Sequence, residues 1–545
     1  MRPRTGIAAF ATFMTAAGVL AATAAGATTA HASTTPNHPG GLGQSRLIPG
    51  DLLVSTSHYL NDPKIVAGKT VLPPGCTSGC VTAIANGNYP QVFNNATVDA
   101  SFGVTSPLAL EEITPSGFPQ GIINVPTNEL TTSFSSKSEG ALNLSTDGKN
   151  VTFIGYVATP DTVDVSNANT PGDIDPTNPV PSAFYRAVAQ LSTDGRFTFT
   201  ETNAYSGDNG RAAIEANVDG RNVFYTAGNA GNGSNPQPTG VVLGAGAQII
   251  TPSNLPEADQ TVGQPTPVGS FSVTELGDKA DKVGKDDNFR GLALYNNVLY
   301  FTKGSGSNGV DTVYFLDTTG TACPDGVGLP VAGAKLPTAG IESTLTSTGL
   351  ANNMCILKGF PTALAKDATD ASDYPFGLWF ANPTTLYVAD EGSGDDTFAN
   401  GTFTADAAST TAGLQKWVFN AKAGQWQLAY TLQNGLNLGT PYTVRGYPTG
   451  INSVTGLPWS PATDGLRNLT GRVNPNGTVS IWAVTSTVSG GGDQGADPNQ
   501  LVEITDSLRA TTAPAGERFH AVVPALFDQV VRGVSFTPGT VVGNR

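Results

Sequence analysis

The stretch DDNFRGLALYNNVLYFT, residues 286–302, decides the fold. Two apolar runs, RGLALY (290–295) and VLYFT (298–302), flank Asn296 and Asn297. A two-residue hairpin loop requires positive φ, which suits Gly and Asn, so the stretch reads as two antiparallel strands joined by a tight turn. Arg290 stands at the mouth of the first run, an obligate cation at the start of a strand that otherwise reads as buried.

The same hairpin recurs along the chain. Inner strands of this type appear as EGALNLS (139–145), GRAAIEA (210–216), FGLWFA (376–381), LRNLTGRV (466–473) and RGVSFTP (532–538). Second strands follow as VTFIGYVA (151–158), NVFYTAG (222–228), TLYVADEG (385–392) and VSIWAVTS (479–486). Third strands are recognisable at 184–192, 311–317, 414–420 and 499–506, and fourth strands at 197–203, 271–277 (FSVTELG), 354–361, 426–432 and 519–525. Four antiparallel strands repeated in order are the blades of a β-propeller.

The last inner strand, RGVSFTP, has almost no chain left to complete its blade. The other end supplies DLLVSTSHY (51–59) as second strand, PLALEEITP (107–115) as third and TTSFSS (131–136) as fourth. The expected fold is all-β, a single propeller of six blades closed by strands from both termini, with long insertions roomy enough for a seventh.

With its repeated G-[LIAV]-x-[LF] inner strand and [LV]-Y-[FV] second strand, the chain resembles the bacterial propellers that include NHL-repeat proteins, gluconolactonase-like enzymes and streptogramin lyases. The resemblance covers nearly the whole mature chain and implies architecture. Members of that group include lactonases, lyases and plain binding scaffolds, so fold alone carries no function.

Composition sets the surroundings. The 545 residues hold 65 Gly and 38 Pro with 13% charged residues, a turn-rich and helix-poor composition. Residues 1–32 carry two arginines, an apolar run and the small residues Ala30-His31-Ala32, the pattern of a cleaved secretory signal. Residues 33–50 read as a loose N-terminal segment and 51–545 as the propeller. The formal charge of −15 becomes −17 once Arg2 and Arg4 are removed, which argues against a nucleic-acid partner. No segment after residue 32 reads as a membrane span. A secreted, extracellular monomer is expected. In that compartment an even number of cysteines favours disulfides, with Cys76–Cys80 and Cys323–Cys355 the obvious pairing.

The repeat register places two sets of residues around the mouth of the central channel. The first set starts the inner strands: Glu139, Arg211, Arg290, Phe376, Arg467 and Arg532. Four guanidiniums converging in an acidic protein suit a carboxylate, sulfate or phosphate, because Arg is planar, always charged and forked. The alternative is that each arginine pairs with a carboxylate of the next blade and clamps the ring.

The second set ends the second strands: His58 and Tyr59, Asn229, Lys303, Asp390 and Glu391, and Ser486. His58 is the histidine that falls on this rim, where it suits a general acid or base with Tyr59 as partner. The acidic DEGSGDD (390–396) offers oxygen ligands, making Asp390 and Glu391, with Glu139, a candidate calcium site. Asp493 and Asp497 offer a weaker version of the same idea. GSGSNG (304–309) formally matches G-x-G-x-x-G but lies between two strands without a following helix, so the dinucleotide reading fails.

The expected function is an exported propeller that binds an anionic or polyhydroxylated extracellular ligand, a small molecule or glycan. Its catalytic form is a lyase on a uronic-acid-containing glycan. A calcium-dependent lactonase-like hydrolase and a non-catalytic scaffold are the alternatives.

Overall fold

The computed structural model describes residues 46–59, 66–72, 81–84, 104–134, 136, 138–174, 178, 180, 182–229, 246–253, 266–279, 286–331, 335–340, 352–367, 373–453, 455–491 and 494–541. Among them six four-stranded antiparallel sheets form a β-propeller.

Blade I is made by both ends of the chain. Its inner strand Gln529–Phe536 pairs with Leu52–His58, followed by Leu108–Ile113 and Pro119–Asn124. Leu52 stands opposite Phe536 and His58 opposite Gln529, so the closure runs the length of the strand. Blade II runs Asn143–Leu144, Asn150–Tyr156, Arg186–Ser192, Phe197–Thr202, and blade III Gly210–Val218, Arg221–Gly228, Ala247–Ile250, Pro267–Gly269. Blade IV holds the opening hairpin, Leu292–Tyr295 and Val298–Lys303, with Thr312–Leu316 and Met354–Ile356 outside it. Blade V is Pro375–Asn382, Thr385–Asp390, Gly413–Asn420, Gln425–Leu432, and blade VI Ala462–Val473, Thr478–Val488, Leu501–Ser507, His520–Val523.

Local chemistry explains the hairpins. Asn296 and Asn297 both take positive φ (49° and 60°), as do Asp219 and Gly220, the geometry that matches strand twist. At the axis, glycine follows the first-set residue wherever blades close most tightly. A Cβ on Gly291 would lie 2.0 Å from the Phe376 carbonyl oxygen, and one on Gly377 would lie 2.5 Å from that of Arg467. The R-G pair is therefore a packing device as well as a charge.

Apolar faces meet between blades. One cluster joins Leu52, Leu142, Val151, Trp482, Val534 and Phe536 across blades VI, I and II, and so buries the chain closure. Burial of this kind contributes about 25 cal/mol per Å² of apolar surface.

Several expectations are corrected. The fourth strand of blade I is Pro119–Asn124, not TTSFSS (131–136). Thr132–Ser133 instead pairs with Thr105–Ser106 in a separate two-stranded ribbon. The true outer strand is mostly exposed and opens on proline, which suits an edge and gives no alternating apolar signal. In blade III the third strand, Ala247–Ile250, had no sequence reading. FSVTELG is not the fourth strand there: Val273–Leu276 is a 3-10 helix, capped by the Ser272 side chain and ended by left-handed Gly277. Leu47 is buried and the Ile48 amide donates to Glu112 at 2.6 Å, so packed chain begins before residue 51.

Cys323 and Cys355 form a disulfide, tying the chain after the third strand of blade IV to its fourth. Cys76 and Cys80 lie outside the described residues, as does Asp493. No helix among the described residues is long and apolar enough to cross a membrane.

Candidate functional site: an arginine layer at the channel mouth

The first-set residues gather at one end of the channel, and the four arginines there are 3–6% exposed. Each has a different set of partners. Arg532 serves the backbone: its Nε donates to Ser57 Oγ at 2.8 Å, and its terminal nitrogens to the carbonyls of Ser133 (3.1 Å), Phe134 and Ser136. This guanidinium staples the blade I closure to the connection that leads into blade II.

Arg290 and Arg467 share one acid. Glu391, just past the second strand of blade V, presents Oε2 to Arg467 Nε at 3.3 Å and Oε1 to Arg290 Nε at 4.0 Å. Arg290 also donates to Ser305 Oγ and, across the ring, to Ser138 Oγ at 2.8 Å. Arg211 donates to Asn288 Oδ1 and to the Phe289 carbonyl at 2.9 Å. Its Nε has no hydrogen-bond partner among the described residues.

Glu391 is the one carboxylate within 4.0 Å of Arg211, Arg290 or Arg467 among the described residues. Burial, and then the neighbouring Arg290, lowers the Arg211 pKa from its ordinary value. Burial lowers that of Arg290 too, against the pull of Glu391. Asp208 and Glu139 pull the Arg211 pKa the other way, though neither comes within ion-pair distance of it among the described residues.

The other expected site residues divide. Glu139 accepts from Thr132 Oγ1 and the Ser133 amide, both at 3.0 Å, and from the Tyr156 hydroxyl. Lys303 is closed in a buried ion pair with Asp311 at 2.5 Å and does not turn to the mouth as a free cation. Phe376 lines a small cavity with Ala141, Asn143, Ala212, Leu292, Leu378, Asn468 and Leu469, and the surface open to that cavity is mostly polar.

His58 is half-buried, and burial lowers its pKa, which favours neutral imidazole. Its Nε2 is buried with no hydrogen-bond partner among the described residues. The pleat separates it from the arginine layer: Arg532 reaches Ser57, and adjacent side chains of a strand point to opposite faces. Tyr59 is buried against Phe134, with ring centroids 5.3 Å apart.

The expected calcium ligands face donors. Asp390 accepts from the amides of Tyr374 (2.8 Å) and Gly392 (3.0 Å) and from Gln415 Nε2 (3.1 Å), and burial pushes its pKa up to about 8. Glu391 faces two guanidiniums, which oppose a cation. Asp497 accepts from Tyr447 and Ser489, both at 2.9 Å. Among the described residues the one trio of metal-type ligand atoms within 4.8 Å is Asp317, Cys323 and Cys355. There the sulfurs are spent in the disulfide.

Two participants were missed from sequence. Arg186 opens the third strand of blade II fully buried, donating to the carbonyls of Phe184, Ser166, Ala168 and Asp208 and lying 5.3 Å from the Tyr156 ring centre. Ser138 precedes the first set by one residue. An arginine inside an otherwise apolar strand was the available signal for Arg186; Ser138 had none.

Fold and site together define a six-bladed β-propeller with a buried arginine layer at one mouth. No family model matches the chain, and no curated protein matches it. Among solved structures, an ulvan lyase of polysaccharide lyase family PL25, bound to -[GlcA(1-4)Rha3S]-, is 11% identical over 83% of this chain and 96% of its own, with a TM-score of 0.30. A calcium structure of the Trichoderma reesei carbohydrate-active enzyme of family AA12 is 10% identical over 86% and 99%, with a TM-score of 0.28. The haemagglutinin-neuraminidase ectodomain of parainfluenza virus 5 is 10% identical over 74% and 76%, also at 0.28. Superpositions this loose support no conclusion about ligand or chemistry.

Proposed function

We propose that this propeller is exported and binds an anionic or polyhydroxylated, carbohydrate-like ligand at the arginine layer. The carrying observation is the pairing of Arg211 with Arg290: two neighbouring buried guanidiniums, the first with no carboxylate within 4.0 Å among the described residues and the second sharing Glu391 with Arg467. Like charges held together out of water favour an anion beside them. A carboxylate or sulfate on a sugar accepts forked hydrogen bonds from such groups. Export rests on the N-terminal pattern of residues 1–32.

The catalytic form of this reading is a lyase on a uronic-acid-containing glycan. Guanidiniums neutralise the carboxylate and thereby acidify the adjacent C–H. His58, the base expected from sequence, stands across the strand pleat from the layer and Tyr59 is packed on Phe134, so neither is assigned the proton. The test is incubation with polyuronates, following the unsaturated product. The lyase form predicts product from wild type and little from R211M. Binding without turnover leaves the ligand site and removes the lyase.

A further inference from the structure

We propose that Asp406 and Asp464 form a divalent-cation site, of calcium type, at the junction of blades V and VI beneath the DEGSGDD loop. The two acids come from separate elements. Asp406 lies in the short helix Thr404–Ala408 and is 1% exposed, while Asp464 lies in the inner strand of blade VI and is 3% exposed. Their carboxyl groups face each other within hydrogen-bonding reach. No donor among the described residues reaches either Asp406 oxygen.

The surroundings are acidic too. Asp395 bears on Asp406, while Asp390 feels both Asp373 and Asp464. Among the described residues no lysine or arginine lies within 4.0 Å of Asp390, Asp395 or Asp406. Two buried carboxylates in contact cannot both be ionised without a counter-charge, which is either a shared proton or a cation. A shared proton removes one of the two charges, and no donor among the described residues reaches the Asp406 oxygens to meet the rest. A divalent ion removes two and takes oxygen ligands, as carboxylates and backbone carbonyls supply.

The loop is shaped to lie on the pair. The Gly394 amide donates to Asp464 Oδ2 at 3.0 Å, and a Cβ on Gly392 would overlap Asp464 Oδ1. This site differs from the calcium ligands expected from sequence, since Asp390 and Glu391 face donors. Bound calcium would fix the segment that carries Glu391, the acid shared by Arg290 and Arg467.

The experiment uses the full chain, stripped with chelator and titrated calorimetrically with calcium chloride, with thermal melts in parallel. The expected result is one calcium per chain and a melting midpoint that rises with calcium and falls again with chelator. Asp406→Asn weakens the affinity at least about tenfold, because ligand charge sets calcium affinity. Asp194→Asn, at an exposed acid in blade II, leaves it unchanged. Absent heat, a midpoint indifferent to calcium and chelator, or full affinity in D406N overturns the proposal in favour of a shared proton. If D406N does not fold, the wild-type midpoint with and without calcium decides alone.

Discussion

Arg290 donates to the hydroxyl of Ser138 at 2.8 Å across 152 residues of chain, joining blade IV to the start of blade II past the whole of blade III. A side chain that reaches so far across the ring lies over the channel axis. Its charge is met on the other side by Glu391, which also holds Arg467. Arg290 is thus the hub of the layer, and Arg211 beside it has no carboxylate within ion-pair distance among the described residues.

The arginines therefore differ in what their loss does. Arg532→Met strips donors from three buried carbonyls and costs about 3 kcal/mol or more. Arg211→Met costs no more than about 1–2 kcal/mol, since the lost bonds are offset by relief of repulsion from Arg290. Urea denaturation of the two variants measures the difference.

Glu391→Gln leaves Arg290 and Arg467 buried without their shared carboxylate. The expected loss is about 3–5 kcal/mol, recovered in part by a bound anion such as sulfate. Thermal melts with and without sulfate check it.

Stability should fall as pH rises from about 5 to about 9. Burial raises Asp173 and Asp497 to about 7 and Glu275 to about 8. A raised acid pKa means that the folded state holds protons the unfolded state has released. Stability from these groups is complete below the unfolded carboxylate range and is lost through the folded values. His58 has the opposite sign, because its folded pKa is lowered, but it is one group against these three and Asp390. A pH series of denaturant midpoints reads the slope.

Reduction of Cys323–Cys355, which closes a separation of 32 residues, should destabilise blade IV by about 2–4 kcal/mol. Melts with and without reductant, with intact mass to follow the bond, measure it.

The sequence carried the architecture because a blade's first hairpin buries both strands and so repeats strongly. RGLALYNNVLYFT needed only its two positive-φ asparagines to be recognised. Outer strands carried less signal. Pro119–Asn124 is an edge with little apolar demand, and Ala247–Ile250 is four residues in a long insertion. FSVTELG carries helix-capping Ser272 and Gly277 at its two ends, a signal that its strand-like apolar pattern masks. At the site, the register located Arg211, Arg290, Arg467 and Arg532 but not their partners. Arg532 proved a backbone staple and Lys303 half of a buried pair, because the acceptors are serines, carbonyls and an aspartate from other parts of the chain.

The most direct test of the arginine layer is calorimetric titration of an oligouronate, and of its neutral counterpart, into wild type and Arg211→Met. The expected result is binding of the acidic oligosaccharide alone, weakening with salt and falling at least about tenfold in R211M while the fold persists. Equal affinity for the neutral sugar, or unchanged binding in folded R211M, would contradict it.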